Sequence, residues 1–450
     1  MKAIQYVTAG ELHLRPHELA PLGTEMSGVY TLRLSGEKRP EEIMGFGVAI
    51  TGSSCYELNT MPADRREAFL RHIYGEDGLN LSIGRLTIAS SDYSAELYSY
   101  DDVEGDVALD YFSIARDEKY ILPMIKEVLA VRPDLYLYGA PWSPPGWMKT
   151  GGSLCGGFMR DAYVDCFADY MVRFIRAYAA HGVRVRAVTP QNEPEAGTKG
   201  KYASAIWSPD TEAKFILSLR RKLDEAGLDT AIWMFDHNFD GWHRVAWQLK
   251  TYPELLEATN TVAFHYYLHA VEQIERLRER YPQLEFQFTE GGPRLLDHYA
   301  TDFCKWGIMI SKAMNHGMRS LCGWNLMLDE TGGPNLGPHF CGGLATLNSQ
   351  TGEITYSGQY KALAHFSKFV KPGARVMKSE ILGDGASMFN YPNLGIPTEA
   401  CVMENPDGST VMVITNPNKE KRQVQVFHGG SWWYAEMLPE SVSTVCFEKE

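Results

Sequence analysis

From about residue 43 to 328, short β-branched and aromatic runs alternate with longer stretches in which apolar residues recur at helical spacing. Eight runs stand out: 43–51, 81–90, 135–143, 185–194, 230–238, 261–267, 285–292 and 320–328. Between them, 117–131, 161–181, 210–226 and 297–316 read as amphipathic helices, each opening on an aspartate suited to a helix N-terminus. Pro133 before Asp134 and Pro209 before Asp210 punctuate element boundaries. Eight strand–helix units in series predict a closed (β/α)8 barrel rather than an open sheet, which usually has fewer strands.

The flanks follow a different period. Residues 29–34 (VYTLRL) read as a strand, and beyond about 372 short alternating runs are separated by turns such as Asn405-Pro406-Asp407-Gly408 and Asn416-Pro417-Asn418. One or two N-terminal strands cannot hide their own edges, so both ends are expected to meet in one sandwich. The fold class is therefore α/β: a (β/α)8 barrel over 41–370 with an attached antiparallel β-sandwich formed by 1–40 and 371–450.

Composition narrows the function. With 44% hydrophobic and 22% charged residues, the chain is globular, neither disordered nor fibrous. Its net charge of -13 offers no surface for a polyanion, which excludes nucleic acid as a partner. The N-terminal segment lacks an apolar core of signal-peptide type, and no run is long enough to span a membrane. A cytoplasmic location is expected, and a mature secreted form would look the same. The eight cysteines show neither CxxC nor zinc-type spacing and read as free thiols. The 10 Trp, 24 Tyr and 19 Phe exceed what a core of this size needs, and flat rings suit ligands with apolar faces.

A barrel of this kind builds its active site at the C-terminal ends of its strands. There the runs end in Ser90-Ser91-Asp92-Tyr93, Trp142-Ser143, Asn192-Glu193-Pro194, Asp236-His237-Asn238, His265-Tyr266-Tyr267, Glu290-Gly291-Gly292 and Trp324-Asn325. Glu193 and Glu290 end the fourth and seventh runs and are expected to face each other across the mouth. Retaining glycoside hydrolysis needs such a pair, one carboxylate attacking the anomeric carbon while the other protonates the leaving oxygen. Arg85, inside an apolar run, is expected to hold Glu290 ionised, with the Tyr267 hydroxyl as a second donor. Asp236, His237 and Asn238 resemble a metal-ligand cluster, but strand neighbours point to opposite sides, so at most two should face one cavity. No metal or cofactor is expected. Arg294 is read as a surface salt-bridge residue.

The residues quoted above, with APWSPPGWMK at 140–149, VTPQNEP at 188–194, WNLML at 324–328 and GGPN at 332–335, resemble glycoside hydrolase family 30 and, within it, the glucosylceramidase-like branch. The resemblance implies an acid/base role for Glu193, a nucleophile role for Glu290 and a contact from Asn192 to the sugar 2-hydroxyl. It also implies that Asp92 and Trp142 grasp the outer hydroxyls and that Trp324 forms an aromatic floor. Tyr202, His265, Tyr267, Asn335 and His339 complete the candidate substrate-binding set. Gly292 and His339 stand where the mammalian glucosylceramidases carry a cysteine and an asparagine. The implied activity is a retaining exo-β-glycosidase acting on small or oligomeric β-D-glucosides. The alternatives are a β-xylosidase, a β-fucosidase or another 6-deoxy-sugar hydrolase, an endo-xylanase-like enzyme, and a catalytically silent carbohydrate-binding protein.

Overall fold

The computed structural model describes residues 1–197, 201–268, 270–383 and 397–448. Eight parallel strands close into a barrel: β1 (Gly45–Ile50), β2 (Ile83–Ile88), β3 (Tyr136–Pro141), β4 (Val185–Val188), β5 (Ala231–Asn238), β6 (Thr261–His265), β7 (Glu285–Glu290) and β8 (Met318–Gly323). Ile83, Tyr138, Ala187, Trp233, Ala263 and Cys322 fill its interior as one cluster. Neighbours of opposite parity, such as Leu86, Leu137, Ile232 and Phe286, pack outward against the helices.

The period of two also carries the site. Counting inward positions up β2 leads from Ile83 to Arg85, and up β3 from Tyr138 through Ala140 to Trp142. Beyond β8 it leads from Cys322 to Trp324. Alternation on strands buried from both sides thus lifts an arginine and two tryptophans into the mouth of the barrel.

The helices form where the pattern places them, with revised starts. In Pro209–Glu225, Ser208 Oγ accepts the Thr211 N–H, Pro209 occupies the first turn, and Asp210 and Glu212 follow. The helix expected from 297 begins at Phe303. Asp117, read as a helix-opening acid, is instead buried and accepts the hydroxyls of Tyr98, Tyr100 and Tyr178 at 2.5, 2.5 and 2.6 Å.

Both chain ends meet in one nine-stranded sheet. Its order is Ser431–Met437, Arg422–His428, Tyr30–Glu42, Arg375–Leu382, Glu399–Glu404, Thr410–Asn416, Ser441–Glu448, Lys2–Ala9 and Leu12–Leu19. One pair, Tyr30–Glu42 with Arg422–His428, is parallel and the rest are antiparallel. Leu19 and Trp433 on the two edge strands belong to one apolar cluster, so the sheet curls until its edges share a core. Val402, Met412 and Ile414 face that core, while Cys401, Met403, Val411 and Val413 face the barrel helices. All eight cysteines carry free thiols. Among the described residues no helix is long and apolar enough to cross a membrane.

Candidate active site

A cavity of about 620 Å³ opens at the C-terminal mouth of the barrel. Asp92, Trp142, Asn192, Glu193, Tyr202, Tyr267, Glu290, Trp324 and His339 line it, so most of the candidates chosen from sequence converge on one space. Asn335 stands behind this lining: its Nδ2 donates to the His339 carbonyl and its Oδ1 accepts the Gly337 N–H at 2.7 Å, which folds the rim loop. Leu268, Leu296 and Phe340 ring the mouth with exposures of 54%, 86% and 65%. Sequence reading missed them because they lie in loops without period. Arg294 also lines the mouth, and it makes no ion pair with a described residue, contrary to the salt bridge expected of it.

The two central carboxylates have separate donors. Glu290, at the end of β7, accepts the Arg85 Nη1 and, at 2.8 Å, the Tyr267 hydroxyl. Glu193 lies beyond β4 on a left-handed residue with φ 47°. Its Oε1 is 3.1 Å from His265 Nδ1 and 3.6 Å from His237 Nδ1. The same His265 nitrogen stands 3.9 Å from Glu290 Oε2, so one imidazole touches both acids.

β5 departs from the alternation on which the sequence reading relied. Phe235 and Asp236 are consecutive left-handed residues, φ 79° and 62°, and the register against β6 shifts between Phe235 and His237. This bulge turns Phe235 outward against Phe239 and Phe264 and brings Asp236 inward. Asp236 lies under the site, His237 against Glu193, and Asn238 on the cavity wall. All three serve one site where simple alternation allows two. A left-handed conformation at a bulky residue costs of order 1–3 kcal/mol and survives only where its surroundings enforce it.

Charge in the buried cluster is balanced locally. Burial works against the His265 imidazolium, but the charges of Glu290 and Asp236, with hydrogen bonds to Asp236 and Glu193, outweigh it and push the ring up to about 9. Burial likewise opposes the charge on Glu193, yet donors on His237 and His265 hold its carboxyl well below the ordinary range. Burial drives Asp92 the other way, well above that range, helped by the nearby Glu290 and Glu193. Glu193, His237 and His265 offer atoms within 4.8 Å of one another, as a metal site would. His265, however, meets Asp236 through Nε2 at 2.9 Å and Glu193 through Nδ1, so carboxylates already engage both of its ring nitrogens.

The aromatic walls complete the arrangement. Trp142 and Trp324 stack with centroids 5.1 Å apart at 20°, and the Arg85 guanidinium lies 4.9 and 5.5 Å from their ring centroids. Gly292 makes this possible, since a Cβ there would come within 2.9 Å of Trp324 Cβ. Arg85 is fully buried and pairs with both Asp236 and Glu290. Arg85→Met leaves two buried carboxylates without their guanidinium partner, and the expected loss of stability is about 3–5 kcal/mol. Chemical denaturation against wild type measures it, and a loss below about 1 kcal/mol would contradict this account of the cluster.

Comparison with known proteins agrees with this geometry. The Glycosyl hydrolase family 30 TIM-barrel domain model matches residues 43–370. The chain is 31% identical to the endo-1,6-β-D-glucanase of Neurospora crassa over 90% of this chain and 85% of that protein. It is 26% identical to the lysosomal acid glucosylceramidase of Mus musculus over 86% of this chain and 78% of that one. The structure of the endo-β1,6-glucanase BT3312 superposes with a TM-score of 0.88 at 27% identity, covering 99% of this chain and 100% of that one. A barrel with paired acids at its mouth, a side sheet from both ends and these similarities lead to one assignment: the chain belongs to glycosyl hydrolase family 30 and is a glycoside hydrolase.

Proposed function

We propose that the protein is a retaining β-glycosidase that removes β-D-glucosyl units, with Glu290 as nucleophile and Glu193 as acid/base. The observation that carries this reading is the shared contact of both carboxylates with His265 Nδ1 at 3.1 and 3.9 Å. The two oxygens that touch it can be no farther apart than those distances combined, a limit that lies below most of the roughly 6.5–9.5 Å separation of inverting enzymes. Arg85 and Tyr267 both donate to Glu290 and aim it, as attack on the anomeric carbon requires. Departure of the aglycone then leaves a glucosyl ester on Glu290, and water activated by Glu193 hydrolyses it with the anomeric configuration retained. In this reading 41–370 is the catalytic unit and 1–40 with 371–450 its side domain.

Glu193 acts as an acid together with its histidine partner, since their contact lowers the carboxyl and raises the imidazole. The acid is the Glu193–His265 pair, which holds one proton, gives it to the leaving oxygen and recovers it from the attacking water. That proton is bound below the raised His265 value and lost as pH rises through about 9. The kcat/KM for alkyl β-glucosides should therefore fall as pH rises through that value. A 2,4-dinitrophenyl glucoside, whose leaving group needs no proton, should keep its rate. Identical alkaline limbs for both substrates would rule out the shared-proton acid.

Asp92 supports recognition of a terminal sugar. It is buried on the cavity wall, and its Oδ1 has no hydrogen-bond partner among the described residues. Sugar hydroxyls would satisfy that oxygen, while the Trp142–Trp324 pair offers flat faces to the C–H side of the ring. This favours exo action. A second reading, endo cleavage of a β-1,6-glucan, is favoured by the activities named for two of the similar proteins. Digestion of a reduced linear β-1,6-glucan separates them: glucose as the sole early product supports exo action, and a ladder of oligosaccharides supports endo action. Inverted product by NMR would reject the retaining mechanism for either reading.

A further inference from the structure

We propose that Asp236 is the positioning residue that couples the two catalytic carboxylates, each of its oxygens steering one of them. The inference rests on the roles proposed above for Glu193 and Glu290. Asp236 is completely buried and touches neither the cavity nor either glutamate side chain, yet both depend on it. Its Oδ2 accepts Arg85 Nη2 at 2.9 Å and the Thr189 hydroxyl at 2.8 Å. Arg85 in turn donates to Glu290 and, through Nη2 at 2.7 Å, to Asn192 Oδ1. Its Oδ1 meets His265 Nε2 at 2.9 Å and accepts the Thr289 hydroxyl at 2.6 Å, and His265 in turn contacts Glu193.

A third link runs through the backbone. The Asp236 carbonyl accepts the Glu193 N–H at 3.0 Å, joining a left-handed residue in β5 to one in the loop that follows β4. A regular β5 would put the residue-236 side chain among the outer helices, so the bulge serves to bring this carboxylate inward. With four donors it is saturated and has no lone pair to spare for substrate. Its effect is to fix the orientation of Arg85 against the nucleophile and to hold His265 with its Nδ1 turned to the acid.

The two arms can be tested separately. Transfer of the glucosyl group from 2,4-dinitrophenyl 2-deoxy-2-fluoro-β-D-glucoside to Glu290 needs a positioned nucleophile and no acid. Hydrolysis of a methyl β-glucoside needs the acid as well. Asp236→Asn is expected to slow trapping at least 100-fold, with KM for the aryl glucoside changed less than threefold. His265→Gln should leave trapping within about threefold while slowing the methyl glucoside at least 100-fold.

Thr189→Val and Thr289→Val each remove one hydroxyl donor and keep the charge. Thr189→Val should slow trapping and methyl glucoside hydrolysis alike, since both need the nucleophile, whereas Thr289→Val should slow the methyl glucoside alone, each by about three- to tenfold. These variants carry the test if Asp236→Asn does not fold. Wild type that is not labelled on Glu290 would refute the assigned roles and this proposal together. Labelled wild type with Asp236→Asn trapping within threefold of it would refute the coupling alone. So would a Thr189→Val variant that traps as fast as wild type, or a Thr289→Val variant that slows trapping as much as the methyl glucoside.

Discussion

Glu290→Gln is expected to lower kcat on aryl β-glucosides by at least about 10⁴-fold, equivalent to about 5.4 kcal/mol of barrier. The amide fills the same volume beside Arg85 and Tyr267, so binding should persist while bond formation to the anomeric carbon is lost. KM should therefore change far less than kcat. Intact-mass and peptide analysis of wild type after the fluoroglucoside should locate the added sugar on Glu290. A variant that kept more than about a hundredth of wild-type kcat would remove this residue from the nucleophile's role. Because Arg85 also pairs with Asp236, losing the Glu290 charge does not leave the guanidinium unpaired, and the folded state should survive the substitution.

The second large effect is a split rather than a uniform loss. Glu193→Ala should cost about 10²–10⁴-fold on alkyl glucosides, the usual yield of general acid catalysis, because the leaving oxygen must then depart as an alkoxide. With 2,4-dinitrophenyl glucoside the first step should proceed nearly unimpaired while hydrolysis of the ester stalls. Intermediate then accumulates and KM collapses. Azide, a nucleophile that needs no base, should enter the space vacated by the side chain and restore turnover as β-glucosyl azide. Equal losses on both glucosides without azide rescue would count against Glu193 and leave His265 as the group to examine.

The barrel and the central pair were legible in the sequence because both rest on repetition. Eight apolar runs betray eight strands, and acids at the ends of two of them fall at one mouth. Arg85 was legible for a related reason: a charge inside an apolar run needs an opposite charge, and its inward parity left few places to find one.

What escaped was whatever breaks period. Residues 12–19 include Pro16 and an almost wholly exposed run, so the edge strand Leu12–Leu19 is held by backbone pairing to Lys2–Ala9 rather than by its side chains. In Lys2–Ala9 a polar residue, Gln5, takes a buried position and masks the alternation. Tyr30–Glu42 runs well past residue 34 through charged residues, with Arg375–Leu382 supplying the partner strand. Asp236 escaped because the left-handed pair at 235–236 is a non-glycine conformation that only tertiary contacts impose. A buried acid directly before two polar residues at a strand end was the available signal, and alternation argued it away.

The pairing of Lys2–Ala9 with Ser441–Glu448 bears on how the molecule is made. A ribosome adding about 5–20 residues per second completes the second strand tens of seconds after the first has emerged. Until then the early strand lacks that neighbour, and the barrel between them must form with one flank of its helices uncovered. Birth of the active molecule is thereby tied to the emergence of Ser441–Glu448. A nascent chain stalled before residue 441 should bind chaperones and resist conversion to active enzyme until the stall is lifted.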